Sequence, residues 1–134
     1  MRKRVVIAGP RVHGVGYRSL ILFEAVRLGI DRLWVANVSE EGRQAILVTV
    51  DGPDDAVSSL VEFVRRERPE RAVVEEVRVE DYEGMVPPIE RTINLFQLEQ
   101  WTKGIPLLLE IAENTRLIPE IAENTRLIPE IAEN

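Results

Sequence analysis

The chain has 134 residues, 45% of them hydrophobic and 30% charged, with a formal net charge of −6, no Cys and one His. This is the composition of a soluble chain with one ordinary domain and an extension; it excludes disulfides, thiolate metal ligands and a cysteine nucleophile, and speaks against a protein zinc site or a general nucleic-acid surface. No apolar run approaches the ~20 residues of a membrane span, and the basic start Met1-Arg2-Lys3-Arg4 leads into too short an apolar run for a signal peptide, so a cytoplasmic protein without membrane contact is expected. The acidity is uneven: residues 1–98 hold 14 Lys and Arg against 16 Asp and Glu, residues 99–134 hold 3 against 7. Abundant Arg, Glu and Val and the run Arg65-Arg66-Glu67-Arg68-Pro69-Glu70-Arg71 fit a heat-adapted organism; the run itself reads as a solvated helix end without a site.

Taken in order, Arg4 to Ala8 contains Val5-Val6-Ile7, a β-branched run suited to a strand buried on both faces. After it comes Gly9-Pro10-Arg11-Val12-His13-Gly14-Val15-Gly16-Tyr17-Arg18, between that strand and a helix, and it reads as a cradle for a phosphate. Glycines at 9, 14 and 16 let successive backbone N–H groups turn inward as an anion-binding nest, to which the helix adds the positive end of its dipole. Arg18, a cation in the first turn, opposes that dipole by about 0.3–1 kcal/mol, which makes sense if an anion sits there too. No Gly-Lys-Ser/Thr closes the loop as in a Walker motif. Nor is it a cysteine-phosphatase loop, because Val12 stands six residues before Arg18 and cannot be a nucleophile.

Ser19 to Leu28 carries Leu20, Leu22, Phe23, Ala25 and Val26 and is followed by Gly29, the pattern of a helix with a glycine just past its end. Leu33–Val38 and Ala45–Val50 read as strands of a hairpin joined through Ser39-Glu40-Glu41-Gly42. Asp51-Gly52-Pro53-Asp54-Asp55 starts a second helix, with Pro53 at its first position, in which Val57, Leu60, Val61 and Val64 recur at helical spacing. In residues 72–82, Val77 and Val79 alternate with Glu76, Arg78 and Glu80, giving a fourth strand with one wet face. The order β-α-β-β-α-β predicts an α+β, ferredoxin-like sandwich, an antiparallel sheet with both helices on one face.

These residues resemble the acylphosphatase family, whose signature runs approximately G-x-V-Q-G-V-x-F-R, then a helix ending in L-G, then a strand with W-V-x-N. The three motifs appear as Arg11-Val12-His13-Gly14-Val15-Gly16-Tyr17-Arg18, Leu28-Gly29 and Trp34-Val35-Ala36-Asn37, in the family's order, over roughly residues 4–83. His13 stands where the family usually has Gln, Pro10 is an additional residue at the loop entrance, and Leu33 replaces the glycine before the strand Trp. The V-H-x-V-G-Y-R loop and a repetitive tail are similar to archaeal members. The resemblance implies that Val12, His13, Gly14, Val15, Gly16, Tyr17 and Arg18 bind the phosphoryl group of a small acyl phosphate, that Asn37 orients the attacking water, and that neither metal nor cofactor is needed. Asn is a poor strand residue, so its presence in an apolar run invites a reason, and its carboxamide both accepts from and donates to a water. The alternative is a non-catalytic anion-binding or oligomeric scaffold module. His13 reads as a loop histidine with a backbone hydrogen bond more readily than as a nucleophile, Arg11 as an exposed residue, and Trp34, Phe23 and Tyr17 as packing groups.

The family-like part is expected to occupy 1–86 and a helical, repetitive tail 87–134. Pro88, Glu90 and the spacing of Ile89, Ile93 and Phe96 predict a helix over 88–102 in preference to a fifth strand. Ile111 to Glu120 then recurs at 121–130, and a third copy starts at 131. Ten residues fall about 80° short of three helical turns, so no heptad coiled coil is encoded, and Pro119 and Pro129 favour kinks or short helices. The Leu-Ile and Ile-Ala pairs of each unit need covering, by the sheet, by a neighbour or in a homo-oligomer; a tandem duplication without selected function explains the copies equally well.

Overall fold

The computed structural model describes residues 1–115. Its elements are β1 (Arg2–Gly9), α1 (Tyr17–Arg27), β2 (Arg32–Glu40), β3 (Arg43–Asp51), α2 (Asp54–Arg66), β4 (Glu76–Asp81) and α3 (Ile89–Thr115). The strands form one antiparallel sheet in the order β2-β3-β1-β4, the ferredoxin-like α+β arrangement expected from the sequence, with a helical C-terminal piece. The chain divides into two units, Met1–Asn94 and Leu95–Asn134. Among the described residues, no helix is long and apolar enough to cross a membrane.

Period-two alternation decides what the first unit buries. Val5 and Ile7 of β1, Leu33 and Val35 of β2, and Ile46, Val48 and Val50 of β3 share one face and are all buried. Against them lie Tyr17, Ile21 and Ala25 of α1 and Val57, Leu60 and Val64 of α2. At the end of α1, Ile30 N–H donates to Ala25 O and Gly29 N–H to Val26 O, each at 3.0 Å, and Gly29 has φ 75°. This Schellman ending is the one that Leu28-Gly29 predicts. Phe23 and Val26 do not pack as expected: they are 75% and 54% exposed, because the face of α1 that meets the sheet runs through Tyr17, Ile21 and Ala25.

Several boundaries differ from those read in the sequence. β2 and β3 reach Glu40 and Arg43, so only Glu41-Gly42 remain as the turn, at φ 52° and 79°. Two consecutive left-handed residues make the tight turn whose twist matches the strands, which leaves Ser39 and Glu40 in the ladder. Pro53 is the N-cap of α2 and not its first residue. β4 starts only at Glu76, since Val73 forms an isolated bridge to Arg11.

Gly9 also differs, ending β1 without a positive φ; what it provides is space. A Cβ there would lie 2.2 Å from Val73 O and 3.0 Å from Glu75 N, on a segment tied down by Glu75 N–H to Ala8 O and Val73 N–H to Arg11 O, both 2.8 Å. Gly9→Ala is therefore expected to destabilise the fold by about 3 kcal/mol, seen as a lower urea midpoint at unchanged slope.

The sheet face away from α1 and α2 is covered by charge. Arg78 of β4 holds Glu40 of β2 through two hydrogen bonds, 2.7 and 3.1 Å, across the two strands between them, a span of about three strand spacings of 4.8 Å. Arg43 reaches Glu40, Glu75 and Glu76, and Arg4 pairs with Glu80. Beneath this lattice Val6, Ala8 and Ala45 are buried with Val38 and Leu47 packed against them. Long charged side chains thus shelter apolar surface with their stems while their heads pair in water. Hydrogen bonds from Arg78, Arg43 and Arg4 hold the carboxyls of Glu40, Glu76 and Glu80, respectively, below their ordinary 4.5. A depressed folded-state pKa contributes stability that is present above pH 4.5 and lost as pH falls through the folded value. The melting temperature should therefore be flat above about pH 5 and fall below pH 4.5, and Arg78→Met should flatten that fall.

The helix expected at 88–102 is present and runs to Thr115. The first unit extends past 86 because Ile89 N–H donates to Asp31 O at 2.8 Å and the buried Thr92 hydroxyl to Leu33 O at 2.5 Å. Pro87 O accepts Leu33 N–H and Pro88 bridges Arg32, so 87–88 line the edge of β2, while 93–98, the alternative fifth strand, lies within the helix. In the second unit Leu95, Leu98 and Trp101 are exposed. The repeat copies beyond Thr115, with Pro119 and Pro129, lie outside the described residues.

Candidate active site

The loop between β1 and α1 has the alternation of hand that an anion nest requires. Gly14 and Gly16 lie at φ 68° and 97°, separated by Val15, and Gly16 is the N-cap of α1. Nothing within 4 Å would meet a Cβ at either position, so conformation and not crowding explains these glycines. Gly16 has no side chain with which to cap, and the first turn of α1 carries no acidic residue. Its leading N–H groups and the dipole would therefore attract an anion with no carboxylate in that turn to oppose it. Arg18, half-buried, is the second residue of the helix.

Strand register brings Asn37 to the same end of the sheet. Gly9, the last residue before the loop, pairs with Gln44, which pairs with Ser39; two residues inward, past Ala8, Ala45 and Val38, the row Ile7, Ile46 and Asn37 returns to the same face. Partners across a ladder share a face, so Asn37 projects on the helix-covered face that Ile7 and Ile46 occupy. Unlike them it is exposed, and among the described residues no hydrogen bond engages its carboxamide.

Not every loop residue stands in the same relation to an anion. Val12 is fully buried and serves as a hydrophobic anchor. The N–H groups of Val12 and His13 both donate to Gln44 Oε1 at 2.9 Å, and His13 Nε2 lies 2.8 Å from Ala45 O. Since a carbonyl only accepts, Nε2 carries the proton in that contact. The histidine thus makes the backbone hydrogen bond that its position suggests. Tyr17 is buried, and among the described residues its hydroxyl has no partner; burial pushes its pKa above 10.0, with Arg68 acting in the opposite sense. Arg11 is exposed, and its carbonyl accepts Val73 N–H. Gln44 escaped the reading of the sequence, because a polar residue at the start of a strand is ordinary and only the register shows what it lies under.

Two depressions lie apart from the loop. The wider, about 380 Å³, is lined by Arg4, Trp34, Leu47, Thr49, Tyr82, Met85 and Pro87 on the opposite sheet face, where Trp34 is half-buried. The other, about 250 Å³, lies between Arg65, Arg68 and residues 74–77. Neither contains Arg18 or Asn37. Among the described residues, no group of three or more His, Asp or Glu is arranged to hold a metal ion.

Comparison with known proteins gives the family. The acylphosphatase family model matches residues 3–88. The acylphosphatase of Caldivirga maquilingensis is 39% identical over 85 residues, 63% of this chain and 84% of that one. That of Pseudomonas paraeruginosa is 43% identical over 72 residues, 54% and 74% of the two chains. The crystal structure of acylphosphatase from Bacillus subtilis superposes with a TM-score of 0.49 at 30% identity, covering 63% of this chain and 89% of that one.

Proposed function

This chain belongs to the acylphosphatase family, enzymes that hydrolyse the carboxyl–phosphate bond of acyl phosphates, and we propose that its 12–18 loop and Arg18 hold the phosphoryl group while Asn37 orients the attacking water. The observation that carries this assignment is the pair of left-handed glycines, Gly14 and Gly16, opening α1 one residue before Tyr17-Arg18, at the sheet end where Asn37 projects.

Water attacks phosphorus in line with the departing carboxylate; the P–O bond to the acyl group breaks and a carboxylate and inorganic phosphate leave. A carboxylate is stable without a proton, so no strong general acid is required. Positioning and stabilisation of charge on the phosphoryl oxygens supply the catalysis. Amides from Gly14 onward meet those oxygens, and the planar fork of Arg18 binds two of them. The water lies between the phosphoryl group and Asn37, accepting from its amide nitrogen or donating to its carbonyl.

The experiment is phosphate release from benzoyl phosphate by the purified protein, in chelator, with inorganic phosphate as competitor. Turnover that inorganic phosphate inhibits competitively is expected; absence of turnover would remove the reading.

A cytoplasmic location, heat adaptation, an archaeal source and division of labour between 1–86 and 87–134 belong to the same proposal, without nucleic acid or membrane as partners. The lack of Cys and the paired-charge lattice support the first two. Exposed Leu95, Leu98 and Trp101 support self-association through the tail, which truncation after Asn94 and a measurement of mass in solution would test.

A further inference from the structure

We propose that Gln44 is a positioning residue for the phosphate loop: its carboxamide oxygen fixes which loop amides face the phosphoryl group. The inference rests on the assignment of the loop as phosphate site. Gln44 is half-buried at the start of β3, in the row formed by Gly9 and Ser39, directly beyond which the loop departs. Its Oε1 accepts two consecutive N–H groups, those of Val12 and His13, both at 2.9 Å. Two lone pairs on one carbonyl oxygen match two donors, so this half of the loop is fully engaged.

Two further contacts close the anchor. Val12 buries its side chain completely, and His13 Nε2 donates to Ala45 O, on the residue after Gln44. Residues 12 and 13 are therefore held to β3 through one side-chain oxygen and one ring nitrogen, with the Val12 side chain buried beside them. With these two amides turned onto Gln44, the nest that an anion meets begins at Gly14, where the first left-handed residue stands. The molecule thus uses two carboxamides in opposite ways on one face of the sheet, two residues apart in register. Gln44 is engaged with the backbone that carries the loop, whereas Asn37 is left open toward the site.

If the carboxamide oxygen is lost, Val12 and His13 keep two donors with no acceptor, and the competing acceptor is the substrate phosphate itself. The loop then shifts toward its ligand by a fraction of the distance that separates productive from unproductive geometry. A displacement near 1 Å in such a site costs about a hundredfold in rate.

The test compares Gln44→Leu, which removes the acceptor, with Gln44→Glu, which keeps an oxygen at the same reach and adds a negative charge. Both are assayed well below their melting temperatures for kcat and KM on benzoyl phosphate and for inhibition by inorganic phosphate, and amide hydrogen exchange is followed at Val12 and His13. For Gln44→Leu, kcat/KM is expected to fall tenfold to a hundredfold, mostly in kcat, with rapid exchange at both amides. Gln44→Glu should restore slow exchange and most of kcat, while the added charge raises KM and the phosphate inhibition constant severalfold. A folded Gln44→Leu within twofold of the parent in kcat and phosphate affinity overturns the proposal, as does loss of kcat in Gln44→Glu despite protected amides. If the parent protein itself lacks turnover, the acyl-phosphate reading fails separately. Phosphate affinity then decides the role of Gln44: a loss in Gln44→Leu sustains it and equal affinity removes it.

Discussion

Arg18→Ala is expected to lower kcat/KM for benzoyl phosphate about a thousandfold or more without loss of the fold. The magnitude follows from what an arginine supplies to phosphoryl transfer, where a guanidinium placed on the developing charge is worth about three orders of magnitude or more in rate. The side chain is half-buried at the second position of α1 and is not among the buried apolar residues, so truncation leaves no cavity in the core. Both kinetic constants should respond, because in the proposed site the guanidinium would meet the phosphoryl oxygens in the bound substrate and more strongly in the transition state. Inorganic phosphate should weaken as an inhibitor in parallel. Arg18→Lys should recover only part of the rate, since an ammonium keeps the charge and loses the planar pair of donors. Activity within tenfold of the parent in Arg18→Ala would remove Arg18 from the site, whatever happened to the rest of the loop.

How far the site could be read from residues alone depended on the range of the interaction concerned. The turn Gly14-Val15-Gly16 and the Gly29 ending of α1 are local: a backbone that must go left-handed selects glycine, and the sequence displays it. The α2 face is equally plain, because Val57, Leu60 and Val64 recur at the period of the helix that buries them. Gly9 looked like a third loop glycine, yet its reason is the carbonyl of Val73, more than sixty residues away, and no local pattern carries that. Gln44 is the same case in a strand, since its role appears only when Gly9, Gln44 and Ser39 are in one row. The alternation of Glu76, Arg78 and Glu80 did announce a wet face. It did not reveal that Arg78 would cross to Glu40 and roof Val6, Ala8 and Ala45. The connection Ser39-Glu40-Glu41-Gly42 shortens to two residues because Glu41, though not a glycine, adopts the left-handed conformation, which is rare and which no local pattern announces.

Asn37→Ala should separate the two proposed roles. A fall of about a thousandfold in kcat is expected, the upper part of the range for removing one polar group that acts on the transition state. KM and inhibition by inorganic phosphate should change little. The contrast with Arg18→Ala comes from what each side chain would touch in the proposed site: the guanidinium the phosphoryl oxygens, the carboxamide only the water. Asn37 is exposed and among the described residues its carboxamide is unengaged, so its truncation leaves neither a buried donor nor a cavity, and the melting temperature should hold. Asn37→Asp tests the charge. Its carboxylate still accepts from the water but repels the phosphoryl oxygens, so phosphate affinity should fall together with kcat. A raised KM at unchanged kcat in Asn37→Ala would make Asn37 a ground-state contact to the substrate. The water would then take its orientation from the phosphoryl oxygens and from Arg18, leaving the arginine as the one side chain in the proposed chemistry.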